Sequence, residues 1–216
     1  MTQTIRRRPI RARNTALART LAQCLARLGV APNAVSVSSL VFAALGGAAL
    51  VLAGRTDHSF AIPFYLGAAA LIELRLLANL LDGMIAVEGG KRSPTGELFN
   101  EVPDRFADSI LLISAGYAIA STIGATIGWL AALLAVLTAY VRALAMSQGL
   151  GADFSGPMAK PQRMHTLALA CIGAAIAWPF GQDQNVVLGG LAPITAGTAL
   201  TVIRRLARAY RALRRG

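Results

Sequence analysis

Residues 109–141 read "SILLISAGYAIASTIGATIGWLAALLAVLTAYV", thirty-three positions without one charge. A single helix of that length would extend about 50 Å, whereas a bilayer core is about 30 Å thick and is crossed by about 20 apolar residues. The run is therefore expected to fold as a hairpin of two spans, breaking near "STIGAT", Ser121 to Thr126. Outward from it, Leu28 to Gly54, Met164 to Gln182 and Gln184 to Ile203 are also free of charge, in a chain of 216 residues that is 55% hydrophobic. This patterning predicts six spans, roughly 33–53, 62–86, 98–120, 126–147, 162–180 and 186–204, of which the second and third carry charges. The apolar run after the first arginines is too long for a signal peptide, and no small-residue cleavage pattern follows it, so the first span is expected to be retained.

Lysine and arginine give the orientation. Seven arginines precede the first predicted span and six follow the last, while Lys91, Arg92, Lys160 and Arg163 lie in or beside alternate loops. The opposite loops, near 54–61, 121–126 and 181–185, hold only Arg55. By the positive-inside rule both termini are expected in the cytoplasm, together with "VEGGKRSPTG" and "GLGADFSGPMAKPQR". The net charge of +11 does not point to nucleic acid, because no soluble basic domain with interleaved aromatics is present. Arginine-rich ends beside spans instead suit anionic lipid headgroups. Arg13, Arg19 and Arg27 alternate with Leu17, Leu21, Leu25 and Leu28 at helical spacing, which predicts an amphipathic helix along the cytoplasmic interface. The expected fold is thus an all-α integral membrane protein: a basic N-terminus with an interfacial helix (1–30), a six-span domain (31–205) and a basic cytoplasmic tail (206–216). Cys24 and Cys171 lack metal-ligand spacing and are expected to be reduced thiols without a role.

Six of the ten acidic residues fall in one interval, "NLLDGMIAVEGGKRSPTGELFNEVPDRFADS", residues 79–109. Ionised carboxylates at bilayer depth cost about 2.5 to 3.5 kcal/mol each, so a cluster needs either a divalent cation or a water-filled cavity. Asn79, Asp82, Gly83 and Ala86 share one helical face; so do Asn100, Asp104 and Asp108 on the next span, and Glu97, Glu101, Asp104 and Asp108 follow a similar stripe. A short loop containing Gly89, Gly90 and Pro94 is expected to hold these two cytoplasmic helix ends side by side. Oxygen-only donors favour hard cations, Mg²⁺ first and Mn²⁺ or Ca²⁺ as alternatives, and no nearby His or Cys argues for zinc. Gly83 and Gly96 would let a phosphorylated ligand approach the backbone. The plainer reading, acids favoured by a helix N-terminus and bathed in water, suits Glu97 and Glu101 better than Asp82.

At this point the residues carry a resemblance. The interval is similar to the signature of the CDP-alcohol phosphatidyltransferase family, D-x-x-D-G-x-x-A-R, eight residues, then G-x-x-x-D-x-x-x-D. Asn79, Asp82, Gly83, Ala86, Val87, Gly96, Asn100 and Asp104 occupy its positions with every spacing kept, and Asn79, Val87 and Asn100 depart from it. The resemblance extends from about residue 14 to 205 through "APNAVSVSSLVFAALG", "YVRALAMSQG" and "KPQRM".

The resemblance implies a homodimeric phospholipid-biosynthetic transferase of the cell's inner membrane. Its donor would be a CDP-linked lipid, usually CDP-diacylglycerol, its acceptor an alcohol, and CMP the leaving group. It implies a divalent-metal set of Asn79, Asp82, Asn100 and Asp104, with Mg²⁺ or Mn²⁺ as cofactor, and Asp104 as general base. Gly83, Ala86 and Gly96 would lie along the nucleotide and lipid donor. Asn79 and Asn100 keep a carbonyl oxygen but lose a charge each; Glu101 offers a carboxylate about 100° further round the helix, and Asp108 is a further auxiliary acid. Val87 removes an arginine that Lys91 or Arg92 would replace only if the loop folds back.

Arg105, Arg142, Lys160 and Arg163 read two ways: as a basic pocket for a phosphorylated acceptor such as glycerol phosphate or inositol phosphate, or as positive-inside anchors. Glu73 and Arg75, two residues apart inside the second span, do not face each other and are expected to pair with other helices. His58 and His165 are expected to be satisfied or solvated. Beside the transferase, two further classes stay open: a non-catalytic protein of the same fold and an ion or metabolite transporter. A transporter would place broken helices and charges near the midplane.

Overall fold

The computed structural model describes residues 15–56, 60–88 and 95–215, without the side chains of 17, 87, 88 and 97. The expectations for Arg13, His58, the loop glycines, Lys91, Arg92 and Pro94, and for the side chains of Val87 and Glu97, lie outside these residues. The described chain is all-helical: α1 (Ala16–Arg27), α2 (Pro32–Ala53), α3 (Ala61–Glu88), α4 (Gly96–Ala118), α5 (Thr122–Ser147), α6 (Lys160–Ala177) and α7 (Asp183–Leu213), with a 3₁₀ turn at Trp178–Phe180. Helices α2, α3, α5 and α7 are long and apolar enough to cross a membrane. Helices α4 and α6 coincide with the third and fifth predicted spans; α4 carries five charged residues, and α6 carries Lys160 and Arg163 in its first turn.

The uncharged run does break into a hairpin, slightly earlier than expected. Helix α4 stops at Ala118, and Ser121 caps α5 by accepting the Gly124 N–H at 3.0 Å. The two helices then pack backbone to backbone: a Cβ on Gly116 would lie 2.6 Å from the Gly124 carbonyl oxygen and 2.9 Å from Gly128 Cα. Small residues here allow the close approach on which helix association in lipid depends. Helix α7 continues well past the expected end at residue 204, because "RRLARAYRAL" consists largely of strong helix formers and contains no breaker.

Six helices close a ring in the order α3, α2, α4, α5, α7, α6. Helix α2 therefore sits between α3 and α4, which are not the direct neighbours the short loop suggested. It fills that place with a stripe of small buried residues, Ser39, Ala43, Gly46 and Gly47 among them. A Cβ on Gly47 would meet Ser114 Oγ at 2.6 Å, so the α2–α4 contact has no room for a side chain there. Helix α1 begins at Thr15, whose hydroxyl accepts the Ala18 N–H, and is followed by Gly29 at φ +75°. Ala18 and Ala22 are buried against Ala78, Leu81 and Ile85 of α3, with Leu21 and Leu25 partly covered, while Arg19, Arg27 and Leu28 are exposed.

Candidate functional site

The charged interior lies where the last turns of α3, the first half of α4 and the first turn of α6 converge under the start of α2. Arg75, Asn79 and Asp82 lie on one face of α3 at i, i+4, i+7. Asp104 and Asp108 lie one turn apart on α4. All three carboxylates are buried, as are Arg75 and Arg163.

Arg75 is the centre of the cluster. Its Nη2 donates to the Asp104 backbone oxygen and Oδ1, both at 3.2 Å, and lies 2.7 Å from Asp108 Oδ1. Asn79 Nδ2 donates to Asp104 Oδ1 at 2.6 Å, and the Lys160 ammonium pairs with Asp104 Oδ2. Arg163 donates to Asp108 Oδ2 at 2.9 Å and to the Met158 carbonyl at 3.0 Å. Asp82 accepts from Ser36 Oγ at 2.6 Å. Burying ions is tolerable only when they are paired and hydrogen-bonded; Asp104 and Asp108 are paired with Arg75, Lys160 and Arg163, whereas among the described residues no cation pairs with Asp82, and Arg75 Nε and Nη1 are buried without a hydrogen-bond partner.

A second, wetter group borders the first. Arg105 and Arg142 both pair with Glu101, and Arg142 stacks over the Phe154 ring at 5.1 Å. Arg105 also approaches Asp104 Oδ2 at 3.6 Å. Beyond it, Asp153 Oδ1 accepts from Ser155 N and Oγ, and Arg208 Nε lies 2.9 Å from Asp153 Oδ2. Burial opposes ionisation of Asp153, but these hydrogen bonds and the cations Arg208 and Arg205 hold its carboxyl below the usual range. On the outer face Glu73 meets His165 Nδ1 at 2.8 Å, so Glu73 and Arg75 do pair with other helices, as their spacing implied.

No family model matches the chain. Individual relatives do. Over 114 residues the chain is 32% identical to a bifunctional IPC transferase and DIPP synthase of Rubrobacter xylanophilus, an alignment covering 53% of this chain and 24% of that protein. The chain thus spans about a quarter of the length of that relative. It is 26% identical over 198 residues to a phosphatidylinositol phosphate synthase of Mycolicibacterium smegmatis, covering 88% and 83%. It is also 26% identical over 165 residues to the inner membrane protein YnbA of Escherichia coli, covering 76% and 78%. Among solved structures, the Mycobacterium tuberculosis phosphatidylinositol phosphate synthase with CDP-DAG bound superimposes with a TM-score of 0.72 at 20% identity, over 91% of this chain and 94% of that one. The same synthase has been solved with manganese and citrate and matches at 0.71.

These relatives fit the CDP-alcohol phosphatidyltransferase family. In this chain the fold sets Asn79 against Asp104, with Asp82 one turn further along α3, leaves Asn100 half-buried on α4, and sets Gly83 and Ala86 in the last turns of α3 and Gly96 at the start of α4. It redirects other residues. Glu101 does not restore a carboxylate beside Asn100, because it is held by Arg105 and Arg142. Asp108 is an interior counter-ion for Arg75 and Arg163. Arg163, expected at the acceptor, is 1% exposed and engaged by Asp108, which leaves Arg105, Arg142 and Lys160 at the rim.

The metal set expected from the signature is also changed. Asn79 Oδ1 and Asp82 Oδ1 are buried without a hydrogen-bond partner and could each give one ligand. Against this, the Asp104 oxygens are engaged by Arg75, Asn79 and Lys160. Among the described residues no group of three or more His, Cys, Asp or Glu could hold a metal ion. Hard divalent ions need several oxygen donors with charge, and the described residues do not fit one. Two contributors were missed in the sequence. Arg75 carried a signal, an arginine inside a span one turn before Asn79 on the same face. Ser36 carried none, since nothing local marks a serine 46 positions before Asp82 as its donor.

Proposed function

We propose that this protein transfers the phosphatidyl group of a CDP-linked lipid, CDP-diacylglycerol in the first instance, to an alcohol acceptor that itself carries phosphate. What supports this most is the kept spacing of Asp82, Gly83, Ala86, Gly96 and Asp104 in a bundle of the fold that the phosphatidylinositol phosphate synthase adopts. The acceptor oxygen forms a bond to the lipid-side phosphorus, the bond to the CMP phosphate breaks, and CMP leaves with the electron pair. Asp104 is the group assigned to take the hydroxyl proton. Gly83, Ala86 and Gly96 border the donor, and Arg105 and Arg142 are the cations suited to the acceptor phosphate. The protein is read as a homodimer of the cell's inner membrane with six spans, an interfacial α1, and both termini and the site facing the cytoplasm. Mg²⁺, the ion first expected from the sequence, finds no group of three or more charged donors among the described residues, so the assay must be run with and without it.

The test is CMP release from CDP-diacylglycerol by the purified full chain against a panel of alcohols including glycerol phosphate and inositol phosphate. Acceptor-dependent CMP supports the reading; Asp104→Asn should then slow it by about 10²- to 10⁴-fold. A second reading, a non-catalytic protein of the same fold, is favoured by one observation: Asp104 already pairs with three cations. Silence across the whole panel, with metal and lipid varied, selects it.

A further inference from the structure

We infer that the cations of this site are built into the chain: Arg75 and Lys160 stand where a transferase of this kind would place divalent ions, and the described residues form no tight divalent site. Of the three buried carboxylates, Asp104 and Asp108 carry the ion pairs, with Arg75, Lys160, Arg163 and, at 3.6 Å, Arg105, while Asp82 accepts from Ser36. Asp104 and Asp108 are therefore already compensated by cations of the chain, and a divalent ion entering beside them would add uncompensated charge in a poorly solvated place.

The asparagine is the second indication. Asn79 does more than lose a charge, because its amide points Nδ2 at Asp104 Oδ1 at 2.6 Å. A carboxylate at position 79 would set two acids oxygen to oxygen at that separation and would need a cation between them. The amide removes that need and supplies a proton donor instead. Arg75 adds a further donor to the same oxygen and ties Asp104 to Asp108, a contact that metal ligation by Asp104 would have to disrupt.

The two cations differ in access, and this divides their roles. Arg75 has no exposed side-chain surface and is a positioning residue that holds Asp104 and Asp108. Lys160 has 20% of its side chain exposed, so its ammonium is the one that can turn to a phosphate. Resting on the transferase reading, Lys160 then neutralises the charge that develops on the departing CMP phosphate and, in moving, uncovers Asp104 Oδ2 for the acceptor proton.

The experiment is a Mn²⁺ titration of the chelator-treated full-length protein, followed by electron paramagnetic resonance, with thermal unfolding in EDTA and in Mg²⁺ alongside. No saturable site tighter than about 1 mM, the weak end for oxygen-ligand sites, and an unchanged midpoint are expected. The variant N79D/N100D/K160M restores two carboxylates and removes the ammonium, and should bind Mn²⁺ about 10- to 100-fold more tightly than wild type. A saturable wild-type site tighter than about 1 mM, or a midpoint lowered by EDTA, overturns the inference. If the triple variant does not fold, the wild-type titration decides alone. In the CMP assay, turnover that survives EDTA supports the inference and turnover lost to EDTA refutes it. Absence of turnover under every condition refutes the transferase reading only, because the Mn²⁺ titration is independent of it.

Discussion

Replacing Arg75 by methionine removes the guanidinium while keeping an unbranched apolar chain of similar reach. In the folded protein that guanidinium is fully buried and touches Asp104 and Asp108 at 3.2 and 2.7 Å. After the change Asp108 keeps only Arg163, and Asp104 keeps Lys160, Asn79 and the more distant Arg105. Breaking a buried ion pair by removing one partner costs about 3–5 kcal/mol, since the other charge stays desolvated. For a domain of this size each kcal/mol shifts the midpoint by about 2–4 °C, which gives a loss of about 6–20 °C. Thermal unfolding of the detergent-solubilised protein measures it, and the cycle of R75M, D108N and R75M/D108N isolates the pair. The double variant should recover part of the loss, with a coupling of about 0.5–3 kcal/mol. An R75M midpoint within about 2 °C of wild type, or strictly additive single changes, would refute the claim that Arg75 holds the two acids together.

Three further outcomes follow from particular contacts. Ser36→Ala removes the 2.6 Å donor to buried Asp82 and should cost about 1.5–3 kcal/mol, read as a lower denaturation midpoint, whereas Ser38→Ala should cost little, because Ser38 donates only to the Val35 carbonyl. Gly54→Ala would set a Cβ 2.0 Å from the Ala118 carbonyl oxygen and must push the ends of α2 and α4 apart, lowering stability by about 1–3 kcal/mol in the same assay. Asp153 has a depressed carboxyl in the fold, so its contribution is present above the unfolded value of about 3.9 and is lost as pH falls through the lower folded value. Hydrogen-exchange protection over residues 148–159, corrected for the pH dependence of the intrinsic rate, should therefore fall under acid, and Asp153→Asn should show the lower protection already at neutral pH.

Much of this protein is legible in one dimension. Uncharged runs of spanning length, Pro32 opening α2 and Ser121 capping α5 are local signals, and the helices lie close to where they predict. The spacing from Asn79 to Asp104 likewise reports a shared site, because side chains at i, i+3, i+4 and i+7 share a face whatever packs against it. Less was legible about neighbours. The short connection between α3 and α4 suggested adjacency, but the small residues of α2 let that helix lie between them.

Partner choice was the least legible. Glu101 and Asp108 looked like spare ligands, and Arg163 like an acceptor group, because sequence spacing gives the face of a helix and not what lies across from it. The sequence by itself determined a helical membrane chain with its acids gathered on two helices and two of them replaced by asparagine. Only the tertiary structure decided that Arg75, Lys160 and Arg163 enter among those acids. The physical reason is that a buried charge takes the nearest opposite charge the fold offers, and which one is nearest is fixed by the closing of the helix ring.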